Sequence, residues 1–484
     1  MPLETSVNEH KNCERTVDHN SFQEQYSENN TSEQFIYEQA PYVHRGMIHK
    51  KPSSDSDSKS NHSILWQFLK QLSPQTDLLK MCSPVFLLRP ISTLELFTYY
   101  CEPTAGLKVL SFLDKKLDRM LMCLMFALGS CSNTRGDSFE GIKPYNPILG
   151  EIFKAKWKPL NPFEHDLATD SCSKPSQTLP WFSKWLSSQS NSHNFSTLHH
   201  CLFQSNTSVL AEQISHHPPV SAFYMENSEA NFKMESTFQI VVKFRGNSVA
   251  TCIAGSHVLN VKCGVQKDLE EEYSFVLPNM VVNGLFFGSS HVSNGDVLKI
   301  SCPQSGLEAN ISFSGQNDIK GELVQCKNQK LFTFKGNVGG KIFMTPCQPF
   351  DMLCEQSELL PFIHDASTEL NADFKYSSKK TNNHRWLFYQ ASLTNAIPEF
   401  SNKLCVKPLH EQAENESRKV WHPLTYALQM GDLDGAYQEK HQIEQVQREK
   451  RMEENQAFEP KYFRLKEKTV KVSDQLQIPL YEHK

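Results

Sequence analysis

The period-two texture of residues 148–345 limits what this chain can fold into more than any other feature. Residues 234–244 show it plainly. Phe238, Ile240, Val242 and Phe244 fall on one side of an extended chain, with Thr237, Gln239 and Lys243 on the other, because successive side chains of a strand point to opposite faces. YSFVLP, GLFFGSSHV, VLKISC, ANISF and KLFTF follow at short intervals, divided by Gly, Asn and Asp. Many short strands at that spacing suit an antiparallel barrel or sandwich, whereas βαβ units need a helix between successive strands.

The flanks read differently. Residues 1–60 are rich in Ser, Asn, Glu and Gln, include SSDSDSKS at 53–60 and lack apolar periodicity, which predicts a disordered polar tail. Within it EQFIYEQA (33–40) is a candidate docking motif for a partner, against the plainer reading of a solvated tail. Leu65, Phe68, Leu69 and Leu72 then follow the spacing of an amphipathic helix that Pro74 ends. DLLKM (77–81) leads into PVFLLRP (84–90), read as a buried strand, and 93–128 reads as helical. Residues 347–420 look irregular, and a long charged helix fills roughly 432–455. The Ser/Asn/His-rich stretch 160–207 interrupts the strands as a long insertion carrying LPWFSKWLSS. A partly packed insertion suits it better than Trp181, Phe182 and Trp185 dipping into a membrane interface.

Composition excludes several classes. The net charge of −5 offers no global field for nucleic acid, so any anion site has to be built locally. The 14 cysteines are scattered without a C-x-x-C pair, which argues against structural zinc and a disulfide scaffold and for a reduced, intracellular chain. The N-terminus has no signal-peptide core, and LMCLMFAL (121–128) is far short of the roughly 20 residues that span a bilayer. A soluble protein with at most peripheral membrane contact is expected.

Three stretches carry chemistry. In GIKPYNPILGE (141–151) two prolines stiffen a turn that projects Lys143 and Asn146; a point charge and a neutral donor suit a phosphate ester, though taken alone the segment reads more plainly as a solvent-exposed turn. EQISHHPP (212–219) sets His216 and His217 against two prolines. A regular strand sends neighbouring side chains apart, so both imidazoles reach one ligand only at a bend, which the prolines suit. No third ligand stands at metal-binding spacing, so no metal site is expected, and satisfied structural histidines stay open. In KHQIEQVQR, Lys440, Glu444 and Arg448 form a helical stripe roughly 12 Å long. That stripe is either a cationic rail oriented by its central Glu or a run of surface ion pairs.

Taken in order, KPYNPILGE, EQISHHPPVSAF, FRGNSVA (244–250) and the C-terminal K-x-x-x-E-x-x-x-R helix resemble the oxysterol-binding-protein-related family of lipid transfer proteins. The resemblance covers about 61–465, with 466–484 left as a tail, and makes Trp421 the anchor of a helical region at 415–455. It implies an α+β fold: a near-complete antiparallel β-barrel around a lipid tunnel, an N-terminal helical lid at 62–82 and C-terminal helices. It implies a non-enzymatic carrier with no cofactor beyond its bound lipid, acting in the cytoplasm at organelle membranes and membrane contact sites. By position, Lys143, Asn146, His216, His217, Lys440, Glu444 and Arg448 match the head-group site for phosphatidylinositol 4-phosphate. Leu65, Phe68, Leu69, Leu72 and Leu78 match the lid and its contacts with a second lipid.

DLLKMCSPVFLLRPISTLE (77–95) and Tyr145 look more like the phosphatidylserine-carrying branch. Ser83 and Ile91 depart from that branch, so a sterol such as cholesterol or an oxysterol stays open as the second cargo. A lipid-regulated sensor that binds without moving lipid is the remaining alternative. No stretch resembles a pleckstrin-homology domain or a membrane anchor, and 300–395 matches the family poorly.

Overall fold

The computed structural model describes residues 85, 88–102, 104–133, 143–159, 180–264, 268–284, 291–326, 329–372, 385–390, 402–453, 458–473 and 476–484. The expected tail at 1–60 and the lid at 62–82, with Leu65, Phe68, Leu69, Leu72 and Leu78, lie outside these residues.

A short parallel ribbon, β1 (Leu88–Ser92) on β2 (Lys143–Tyr145), precedes the main sheet. The sheet begins with β3 (Ile152–Pro159), β4 (Thr207–His216), β5 (Pro219–Asn227), β6 (Phe232–Phe244) and β7 (Ser248–Cys263). It continues through β8 (Leu269–Val276), β9 (Asn279–Asn283), β10 (His291–Gly295), β11 (Val297–Cys302) and β12 (Leu307–Ser314). β13 (Asp318–Gln325), β14 (Gln329–Asn337), β15 (Lys341–Pro346), β16 (Trp386–Gln390) and β17 (Asn402–Cys405) complete it. These make one 15-stranded antiparallel sheet running from β16 through β15 to β11, then β8 to β3, to β17. This is the near-complete barrel of an α+β fold. The long β7 pairs with β6 along one edge and divides the other, where Ser248–Thr251 pair with β9 and His257–Cys263 with β8.

Apolar side chains of the inner face merge with helices Thr93–Tyr100 and Lys116–Asn133 into one core. Phe97 stacks on Phe238 at 4.3 Å and meets Phe223 edge-on at 4.9 Å. LMCLMFAL is buried all round on the second helix, which is why it reads as apolar without alternation. No helix among the described residues is long and apolar enough to cross a membrane. The same helix buries Arg119, whose guanidinium grips Glu271 through two 2.7 Å bonds while Tyr273 Oη donates to that carboxylate at 2.5 Å. A buried charge is tolerated here because partner and hydrogen bonds are both supplied.

Three readings need correction. The helical reading of 93–128 breaks after Tyr100 and again at Leu113, which is extended. Residues 347–420 are not irregular. They hold helices Phe350–Cys354 and Leu360–Ala372 and the edge strands β16 and β17. Trp386, Leu387, Phe388 and Tyr389 are buried on both faces of β16, so no alternation betrays the strand. The supposed tail 466–484 forms an antiparallel hairpin, β18 (Phe463–Ser473) with β19 (Leu476–His483). Its Phe463 and Ile478 pack on Ile214, Val220, Ala222 and Ala254, while Arg464 and Lys468 are exposed and disguise the apolar side. The partly packed reading of the insertion holds: helix Pro180–Ser188 buries Trp181, Phe182 and Trp185 and packs against helix Leu360–Ala372.

Candidate functional site

The loop after β2 is tied at both ends. Ile148 N donates to Glu151 Oε2 at 3.0 Å and Glu151 N to the Ile148 carbonyl at 3.0 Å. Gly150 N donates to the Gln213 carbonyl and Gln213 N to the Glu151 carbonyl, each at 2.9 Å. Gly150 sits at φ 76°, a left-handed conformation that glycine adopts without strain. These bonds fix the segment bearing Lys143 and Asn146 against β4, just before the histidine pair. Lys143 is half-buried and Asn146 exposed.

β4 and β5 meet in a tight hairpin in which His216 pairs with Pro219 and His217-Pro218, joined by a cis peptide bond, form the turn. The bend expected from EQISHHPP is present, and it brings the rings together edge to face at 4.7 Å. His216 Nδ1 lies 3.0 Å from the Pro147 carbonyl. A carbonyl only accepts, so the network assigns the proton to Nδ1 and leaves Nε2 pointing elsewhere. His217 is exposed.

The third stretch lies on helix Leu433–Glu453. Lys440 Nζ is 3.4 Å from Glu444 Oε1, and Arg448 Nη2 is 3.7 Å from Glu444 Oε2. The Lys440 side chain is 13% exposed and that of Arg448 68%, so the rail runs from a sheltered cation to a solvated one. Ile443, between Lys440 and Glu444, packs with Ile148 on the cluster of Val85, Leu88, Tyr145, Trp421 and Leu424. Tyr145 stacks on Trp421 at 4.7 Å and its hydroxyl bonds Thr425 at 3.0 Å. The β2 loop, the histidine turn and the rail helix are therefore neighbours through Pro147, Ile148 and Tyr145.

Sequence reading overlooked the residue that joins them. Glu151 is fully buried. Its Oε1 accepts from Ser92 Oγ at 2.5 Å and Ser417 Oγ at 2.7 Å, its Oε2 from Ile148 N at 3.0 Å and Trp421 Nε1 at 2.9 Å. Burial pushes its carboxyl pKa up, against the opposing pull of those bonds. Glu212 was likewise quoted within a motif without a role. It accepts from Lys461 N at 2.6 Å and Tyr462 N at 2.8 Å, clasping the C-terminal hairpin to β4. An isolated buried acid has no periodic signature, so only the tertiary fold exposes either role.

A family model described as oxysterol-binding protein matches residues 64–481. The chain belongs to the oxysterol-binding protein family. Oxysterol-binding protein-related protein 5 of Mus musculus is 27% identical over 419 residues, which are 86% of this chain but 39% of the mouse protein. Protein KES1 of Mycosarcoma maydis is 27% identical over 407 residues, 81% of this chain and 85% of the fungal one. In fold, the chain is similar to the Osh1 ORD domain solved in complex with cholesterol, with a TM-score of 0.56 at 20% identity over 87% of this chain and 86% of that one. That likeness supports the oxysterol-binding architecture of barrel and helices.

Proposed function

We propose that this member of the family is a lipid transfer protein, and not an enzyme, that extracts phosphatidylinositol 4-phosphate from one membrane and exchanges it for a second lipid. The observation that carries the reading is the adjacency of three cation-bearing segments: the Lys143–Asn146 loop, the His216–His217 turn and the Lys440–Glu444–Arg448 helix. A phosphomonoester is multiply charged and accepts several bonds at once. Two lysines, an arginine and two imidazoles answer it, and the dianion itself favours the protonated imidazoles. Glu444 holds Lys440 and Arg448 and offers an acceptor to inositol hydroxyls. The acyl chains would lie in the apolar barrel under the lid, and the site would work at cytoplasmic membrane contact sites. Residues 77–95 favour phosphatidylserine as the second cargo. A buried polar pair in the barrel wall, Ser236 and His257, favours a second reading, in which that cargo is a sterol.

The test is extraction from liposomes. His216→Ala with His217→Ala should abolish removal of phosphatidylinositol 4-phosphate while the thermal melt stays within a few degrees of wild type. Normal extraction by this variant would refute the head-group assignment.

A further inference from the structure

A one-residue irregularity in the β4–β5 hairpin decides which way His216 faces. Ala211 pairs with Phe223 and Gln213 with Ser221, but beyond them Ser215 pairs with Val220 and His216 with Pro219. Ile214 is the extra residue, a bulge on β4. Val209, Ala211 and Phe223 belong to the core of the inner face. Ile214, Val220 and Ala222 belong to the outer cluster under the C-terminal hairpin. Side chains alternate along a strand, so in an unbroken β4 His216 would share the outer face with Ile214. The bulge exchanges the faces beyond it. His216 therefore lies opposite Pro219, on the side of Ser221 and Phe223, and its Nδ1 reaches the Pro147 carbonyl at 3.0 Å.

The side chain of Gln213 spans this bulge. Its Nε2 donates to the Ser215 carbonyl at 2.8 Å, and its Oε1 accepts from Ser221 Oγ at 2.6 Å. A carbonyl only accepts, so the orientation of the amide follows from Ser215. Gln213 is 1% exposed and Ser221 4%, which makes an unbonded amide there expensive. A bulge breaks the strand ladder and leaves backbone groups to find other partners. The amide is such a partner for Ser215, the residue just before His216, and the serine across the hairpin holds the amide in place. The backbone of Gln213 is fixed in turn by Gly150 N and the Glu151 carbonyl. One residue thus ties together the bulge, the opposite strand and the end of the loop that carries Lys143 and Asn146.

We propose that Gln213, anchored by Ser221, is a positioning residue that holds the bulge at Ile214 and so keeps His216 turned to the inner side, where it meets the phosphomonoester. The role rests on the reading of the histidine turn as part of the head-group site, and Gln213 itself touches no lipid. Without the staple, Ile214 is free to slip into regular pairing. That slip carries His216 toward the outer face, away from the Pro147 carbonyl and from the Lys143 loop.

The test uses the full chain and two readouts: extraction of phosphatidylinositol 4-phosphate from liposomes, and nitrogen NMR of the His216 imidazole without lipid. Gln213→Glu keeps the acceptor for Ser221 and, as a carboxylate, loses the donor to Ser215. It should lower extraction at least about tenfold, the worth of one charge-assisted hydrogen bond. In the same variant the His216 proton, held on Nδ1 by Pro147 in wild type, should spread to both ring nitrogens. Ser221→Ala, a one-atom deletion, should shift both readouts less and in the same direction. Ser221→Thr restores the hydroxyl and should recover them, so this pair carries the test should Gln213→Glu fail to fold. Unchanged extraction in Gln213→Glu overturns the proposal. So does lost extraction with the His216 tautomer unchanged, because Gln213 then acts other than by placing the ring. Wild type that extracts no phosphoinositide overturns the head-group reading instead, and the tautomer, read without lipid, still decides whether Gln213 places His216.

Discussion

Replacing Glu151 separates a hydrogen-bonding hub from a charge. Glu151→Ala strips the acceptor from two obligate donors, the half-buried Ile148 N–H and the buried Trp421 Nε1–H. Each such orphan costs about 1–3 kcal/mol. The serines fare better. Ser417 Oγ keeps a bond to the Ile152 carbonyl at 3.2 Å, and the Ser92 hydroxyl still accepts from Leu94 N at 3.4 Å. The expected loss is therefore about 4 kcal/mol, most of it from the two N–H groups. Glu151→Gln retains the network: its amide oxygen can face the N–H pair and its NH2 the two serine oxygens, which can accept. The amide also avoids the burial that raises the carboxyl pKa, so Gln should stand within about 1 kcal/mol of wild type. Urea unfolding of the three proteins, compared at a common slope, measures both differences. Extraction of phosphatidylinositol 4-phosphate should follow the same order, because Glu151 ties the Lys143 loop to Ser417 and to Trp421, whose cluster the helix carrying Lys440 and Arg448 packs against. Equal losses for Ala and Gln, or a loss under about 1 kcal/mol for Ala, would contradict the reasoning.

Three further outcomes are expected. The depressed pKa of His257 means the unfolded chain takes up a proton that the folded one refuses, so stability falls as pH drops below 6.5 toward 4. His257→Phe should remove about 3 kcal/mol of that fall, and denaturation curves of the two proteins running parallel from pH 7 to 4 would refute it. Trp185→Ala should cost about 3–5 kcal/mol by opening a cavity without changing vesicle binding; reduced vesicle binding at unchanged stability would return the aromatic cluster to a membrane role. Glu212→Ala removes the acceptor from Lys461 and Tyr462 N–H and should expose residues 460–484 to limited proteolysis, whereas an unchanged cleavage pattern would show the clasp to be unnecessary.

Much of the barrel was legible because alternation is written locally. β6, with apolar Phe238 facing in and exposed Lys243 facing out, announces itself. β16 does not, being covered on both faces, and the C-terminal hairpin hides a narrow apolar side among lysines and glutamates. The site divides along the same line. His216, His217, Lys143 and the rail are motifs, readable from residue type and spacing. That the two imidazoles meet is a property of the β4–β5 turn, and that the rail lies near the loop depends on Ile443 and Ile148 packing against one cluster from positions far apart in sequence. Glu151, Ser236 and His257 were out of reach because their roles arise from pairings across the sheet or between distant segments, which leave no local period to detect.

The claim that this chain moves lipid, rather than only sensing it, is tested most directly by a two-vesicle flux measurement. Donor vesicles carry phosphatidylinositol 4-phosphate, acceptors carry the second lipid, and the protein is present in small amount. The account predicts many phosphoinositide molecules delivered per protein molecule, with transport lost in the His216→Ala, His217→Ala variant. Uptake that stops near one lipid per protein, with none arriving in the acceptors, would contradict it.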